Sequence, residues 1–288
     1  MKQTFLRSTT SDNLILQGLL SEPDILTGNL ILHVHGMAGN FYENRFVDAM
    51  TKVYTEKGYS FLSINTRGHD FIADFSVAGD KEEYKRIGNF REVFEDCVLD
   101  IAAWVDTAEK RGYKNIILQG HSLGSVKVVY YQAKKNDKRI KKLVLASPPD
   151  MIGLTEADKN HKNNFMLAKK MVTEGKGDEI LPTVLWDWSY LSAKTYVDFG
   201  TRDKPIDIFN TYDKARPSLL SKIKLPTFAF FGSNDDAAIL PKTEALQVIK
   251  SKATNCPRFD TTIIEGAPHS YFGHEEDVAD TVIKWLVS

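Results

Sequence analysis

The chain has 288 residues, 42% hydrophobic and 26% charged, and its 37 basic and 38 acidic side chains leave a formal net charge of −1. That length gives room for one large α/β domain or two smaller ones, and the composition argues against wholesale disorder. The even charge balance offers no electrostatic basis for capturing nucleic acid or an acidic membrane surface, so neither is expected as a partner.

Lys2 to Leu20 is expected to form an antiparallel pair of strands turning near Ser11-Asp12-Asn13. Short apolar runs follow at Leu30-Ile31-Leu32-His33-Val34, Ser60-Phe61-Leu62-Ser63-Ile64, Ile116-Ile117-Leu118, Leu143-Val144-Leu145, Phe228-Ala229-Phe230-Phe231 and Ile263-Ile264. They do not alternate apolar with polar, as expected of strands covered on both faces. Helical stripes lie between them. Phe94, Cys97, Val98, Ile101, Val105 and Ala108 share one helix face; Val126, Val129, Tyr130 and Ala133 share another. Val278, Val282, Trp285 and Leu286 form a third, with Glu275, Glu276 and Asp277 in a favourable acidic first turn. Strands alternating with helices predict an α/β fold: a mostly parallel central sheet flanked by helices. Cys97 belongs to a helix face. With Cys256 it forms neither a C-x-x-C nor a disulfide framework, which fits free thiols in a reducing compartment. The opening MKQTFLRSTTSDN has no apolar signal stretch and no run of 18 apolar residues occurs, so a soluble cytoplasmic protein is expected.

About 70 residues from Pro148 to Ser221 separate two strand candidates, too many for a structureless loop. We expect an inserted helical cap at 150–221 on a core formed by 1–149 and 222–288. Trp186, Trp188 and Tyr190 alternate within it: in an extended segment they share a face and line a substrate pocket, and otherwise they build the cap's own core. The basic run Lys134, Lys135, Lys138, Arg139, Lys141, Lys142 reads as a solvated turn.

Gly120-His121-Ser122-Leu123-Gly124 follows a strand candidate and opens a helix, the setting in which a G-x-S-x-G turn holds its serine strained and exposed. A serine hydroxyl needs a base beside it and a third group to orient that base. His269 lies after the last strand candidate and Asp235 after the one before, so all three reach the carboxyl rim of the sheet.

This order of serine, acid and histidine resembles the α/β-hydrolase superfamily over nearly the whole chain, and within it small intracellular carboxylesterases of the cinnamoyl and feruloyl type. The resemblance implies Ser122 as nucleophile, His269 as base and Asp235, after Gly232, as acid, with Asp236 as the neighbouring alternative and Asp150 a more distant one. It implies an oxyanion hole from the backbone N–H groups of Leu123 and of Met37, the latter in His35-Gly36-Met37, with the His35 ring bracing that loop. Arg67-Gly68-His69-Asp70 resembles a supporting loop of the family, and His274 lies at the final helix. The implied activity is carboxylesterase, acting on a small-molecule ester without a cofactor or metal.

Rival chemistries fit less well. His33 and His35 lack the remainder of H-x-H-x-D-H, no H-E-x-x-H occurs, and neither a dinucleotide nor a phosphate loop is present. Serine at 122 excludes relatives that use an aspartate nucleophile. Ester, thioester and amide substrates remain open, as do a non-catalytic ligand-binding protein on the same scaffold and a homo-oligomer.

Overall fold

The computed structural model describes the backbone of all 288 residues and every side chain outside residues 80–82. An antiparallel hairpin, β1 (Lys2–Thr9) and β2 (Ile15–Glu22), opens the chain, turning through Asn13 at φ 70°. Then come β3 (Asn29–Val34), α1 (Arg45–Glu56), β4 (Ser60–Ile64) and a separate two-stranded hairpin, β5 (Ala73–Val77) and β6 (Asp80–Ile87). Next are α2 (Cys97–Lys110), β7 (Asn115–His121), α3 (Leu123–Lys135) and β8 (Ile140–Ala146). Three helices follow, α4 (Met151–Ala157), α5 (His161–Thr173) and α6 (Ala193–Phe199), before β9 (Thr227–Gly232), α7 (Lys242–Lys252), β10 (Phe259–Ile264) and α8 (Glu275–Val287).

The main sheet has the order β1-β2-β4-β3-β7-β8-β9-β10; β2 pairs antiparallel with β1 and β4, and the pairs from β4 to β10 are parallel. Its inner parallel strands are apolar on both faces because each face is covered. Leu30, Leu32, Leu118, Leu143 and Phe231 pack with Ile101, Trp104 and Val129 of α2 and α3. The alternate residues Ile31, Ile117, Val144, Phe228 and Phe230 pack with Met50, Tyr54, Val278 and Trp285 of α1 and α8. This period of two within uninterrupted apolar runs is the mark of buried parallel strands.

Chain order reverses at β3, which has β4 on one side and β7 on the other. Loops leaving β3 and β7 diverge there and leave a crevice at the carboxyl ends of the strands, the usual site position in open α/β sheets. Among the described residues no helix is long and apolar enough to cross a membrane. In the basic run, Arg139 is engaged by Asp106, Glu109 and Asp137, and Lys142 donates to the Leu286 carbonyl and lies over the Trp285 ring.

Candidate active site

The turn from β7 to α3 is built around two close backbone approaches. A Cβ on Gly120 would stand 2.3 Å from the Gly124 carbonyl, and one on Gly124 would stand 2.2 Å from the Val34 carbonyl oxygen. Only glycine fits either place. Between them Ser122 sits at φ 54°, ψ −128°, a backbone conformation that costs a non-glycine residue of order 1–3 kcal/mol. The turn lifts its side chain off the end of the sheet.

Ser122 Oγ lies 3.0 Å from His269 Nε2, and His269 Nδ1 lies 2.9 Å from Asp235 Oδ1. The carboxylate can only accept, so Nδ1 carries the proton; Nε2 is then free to accept from the Ser122 hydroxyl. Asp235 is 1% exposed. Burial pushes its carboxyl upward, but bonds from the His269 ring, the Ser147 hydroxyl and the Ala237 N–H outweigh that and hold it below its ordinary value. The Ser147 hydroxyl donates to Asp235 Oδ2 and in turn accepts from the Tyr271 hydroxyl at 2.6 Å. His121 lies beneath the His269 ring, centroids 4.9 Å apart, and its Nε2 donates to the His269 carbonyl at 2.9 Å. Burial above all, with a smaller effect of the neighbouring His269 ring, pushes His121 down to about 3, so at neutral pH it is an uncharged brace.

A cavity of about 650 Å³ opens on Ser122 and His269. Gly36, Met37 and Glu43 line it on the β3 side, Met151 and Leu154 of α4 together with Asp236 and Ala237 on the β9 side, and Phe71, Trp186 and Trp188 also wall it. Among the described residues no lysine or arginine lines it. Neither Met37 N–H nor Leu123 N–H has an acceptor among the described residues.

Of the residues singled out in the sequence, Ser122, Asp235, His269, Met37 and Leu123 are therefore gathered at one place. Asp236 has a carboxylate oxygen within 4.8 Å of a His269 ring nitrogen but stands exposed. Asp150 caps α4 through the Gly153 N–H and holds Thr211 and Tyr212, away from the histidine. His35 accepts from Thr66 and donates to the Gly36 carbonyl, while His33 is held by Gln119. Asp70 is spent on Asn40, Tyr42 and His69, which pins the loop after β3 to the loop after β4. His274 is at the N-cap of α8 and pairs with Asp277.

Trp186, Trp188 and Tyr190 do not share a face. Residues 185–189 form a tight turn, with Trp186 and Asp187 at φ 50° and 64° and reciprocal bonds between Leu185 and Ser189. Trp186 lines the cavity while packing on Tyr196 and Phe199; Trp188 lines it beside Phe71. Tyr190 lies outside the lining, exposed, with its ring edge-on to Phe71. Sequence reasoning missed Ser147, Tyr271, His121 and Phe71; the first follows directly on β8 at the same rim, a positional signal that was available.

A family model described as alpha/beta hydrolase fold matches residues 29–179. No curated protein matches the chain in sequence. Among solved structures it is similar to Est1E from Butyrivibrio proteoclasticus with ferulic acid bound: TM-score 0.67, 22% identity, 98% of each chain covered. It is also similar to the Pyrococcus furiosus esterase Pf2001 (TM-score 0.66, 19% identity, 99% of this chain and 90% of that one). A thermostable carboxyl esterase from Bacillus coagulans gives TM-score 0.68 and 14% identity over 99% and 98%.

Proposed function

Because the chain belongs to the alpha/beta hydrolase fold family, we propose that it is a serine hydrolase cleaving carboxylic esters with small to medium, including aromatic, acyl groups. One observation carries the reading: a strained serine hydroxyl 3.0 Å from an imidazole nitrogen whose partner nitrogen bonds a buried carboxylate. In the proposed reaction His269 takes the Ser122 proton as Oγ attacks the ester carbonyl, and Asp235 stabilises the imidazolium that forms. The unpaired N–H groups of Met37 and Leu123 receive the oxyanion. The alcohol departs with the proton from His269, and water cleaves the acyl-enzyme by the same route.

The apolar cavity walls from Met151, Leu154, Trp186, Trp188 and Phe71 support an acyl group of moderate size. The structural likeness to a protein holding ferulic acid supports the aromatic option. The segment 150–221, from which four of these five residues come, is the cap in this reading.

The test is turnover of a p-nitrophenyl ester series and of methyl ferulate, with labelling by a fluorophosphonate probe. Ser122→Ala should lower kcat by roughly 10³-fold or more and abolish labelling, with Tm little changed. Activity within tenfold of wild type defeats the assignment. Tight ligand binding with no turnover by the wild type makes the chain a receptor, and preference for a thioester or an aminoacyl amide changes the substrate class.

A further inference from the structure

Beside the site, on α3, lies a charge that the proposed reaction leaves unused. Lys127 is 0% exposed. Its Nζ lies 2.6 Å from Glu92 Oε1, an ion contact outside hydrogen-bond angles, and donates to Thr66 Oγ1 at 3.2 Å. Burial pushes the Glu92 carboxyl up, and the adjacent ammonium offsets only part of that. Burying such a pair costs stability that packed apolar residues would not, so its presence calls for a use.

From Lys127 the bonds run without a gap to the loop after β3. Thr66 Oγ1 and Thr66 N each lie 3.0 Å from His35 Nε2. The backbone N–H can only donate, so Nε2 is unprotonated and His35 carries its proton on Nδ1. Burial first, then the Lys127 charge, keeps that ring neutral. The Nδ1–H donates to the Gly36 carbonyl at 2.7 Å, which also accepts from Gly39 N at 3.2 Å. The Gly36 carbonyl and the Met37 N–H are two ends of one peptide unit. Donation to the oxygen draws density through the resonant C–N bond and makes the N–H a stronger donor.

The geometry points to Lys127, Thr66 and His35 as positioning residues that polarise the Gly36–Met37 peptide, strengthening and aiming the Met37 N–H at the oxyanion. The inference rests on the serine-hydrolase reading and assigns these residues to the charge developed in the transition state, not to substrate binding. The Lys127 charge is relayed through a hydroxyl and a neutral ring and touches no reacting atom; Glu92 balances it.

The experiment uses p-nitrophenyl trimethylacetate, whose bulky acyl group deacylates slowly, with infrared detection of the acyl-enzyme carbonyl. A band in wild type that is absent from Ser122→Ala establishes the serine-hydrolase reading independently; with no such band, that reading and this inference fall together. Thr66→Val removes the hydroxyl but keeps the Thr66 N–H bond and the ion pair. It should move the band to higher frequency and lower kcat about tenfold, a fraction of the roughly 10²–10³-fold cost of deleting an oxyanion donor. KM should stay within about twofold, and Thr66→Ser, which restores the hydroxyl, should behave as wild type. The paired change Lys127→Met with Glu92→Leu removes the charge without stranding a partner and should shift the band the same way; if it does not fold, the Thr66 pair still decides. A Thr66→Val band at the wild-type frequency, a loss confined to KM, or an equal loss in Thr66→Ser overturns the inference.

Discussion

Asp235 and Asp236 are neighbours in sequence with opposite surroundings. Asp235 is buried and receives the His269 ring, the Ser147 hydroxyl and the Ala237 N–H; Asp236 faces the cavity with no ion-pair partner among the described residues. In the proposed reaction, Asp235→Asn should therefore lower kcat/KM by roughly 10³–10⁴-fold, since an amide stabilises the wrong imidazole tautomer. Asp236→Asn should lose less than about tenfold, its carboxylate acting on the ring only through solvent. Measuring kcat/KM for both at neutral pH decides between them, and the reverse order moves the orienting role to Asp236. The sequence could not separate the two, because one residue of register in the turn after β9 exchanges them. For Trp186, Trp188 and Tyr190 the difficulty was different. Their alternation carries meaning only in an extended segment, and residues 185–189 instead turn back through two left-handed residues.

At the scale of elements, legibility followed burial. The parallel strands stood out because both faces are covered, α2 and α8 because a polar face sets off an apolar one, and α3 because its apolar stripe follows directly on the serine turn. The hairpin β5–β6 left no comparable trace: it pairs outside the main sheet, with exposed residues such as Asp74 and Tyr84. Helix α7 buries only a short set around Ala245, Leu246, Val248 and Ile249, and α1, whose stripe of Phe46, Met50, Val53 and Tyr54 is regular, went unread beside the stronger strand runs. The serine turn was legible because its glycines are steric necessities. Gly124→Ala places a methyl against the backbone oxygens of Val34 and His35, at 2.2 and 2.5 Å, and β3 cannot retreat without leaving the sheet. It should destabilise the protein by about 1–3 kcal/mol and reduce activity with it, because β3 also leads to Met37. Urea unfolding checks this; an unchanged midpoint and slope mean that the turn has room the structure does not show.

For the whole molecule, the buried histidines set the response to acid. Burial pushes His33 and His121 each down to about 3, against 6.5 for an ordinary histidine. Between those values the unfolded chain binds protons that the native state refuses, so stability is full above about 6.5 and is lost as pH falls toward 3. Each histidine weakens the fold by up to about 1.4 kcal/mol per pH unit within that window. Asp137, held at about 2 by Arg139 and Tyr131 against the opposing effect of burial, extends the loss below the ordinary carboxylate value of 3.8. Urea midpoints should decline steadily from pH 7 to pH 4, whereas a flat profile contradicts neutral burial of these rings. The cavity has an electrostatic consequence of its own. Strand order puts Glu43, after β3, and Asp236, after β9, on either side of Ser122, with no lysine or arginine among the described residues on the walls between. In the proposed reaction an uncharged ester enters unopposed, but hydrolysis turns its acyl half into an anion caught between two others. That reaction would in this way loosen its own product, sparing turnover the drag of a tightly held acid.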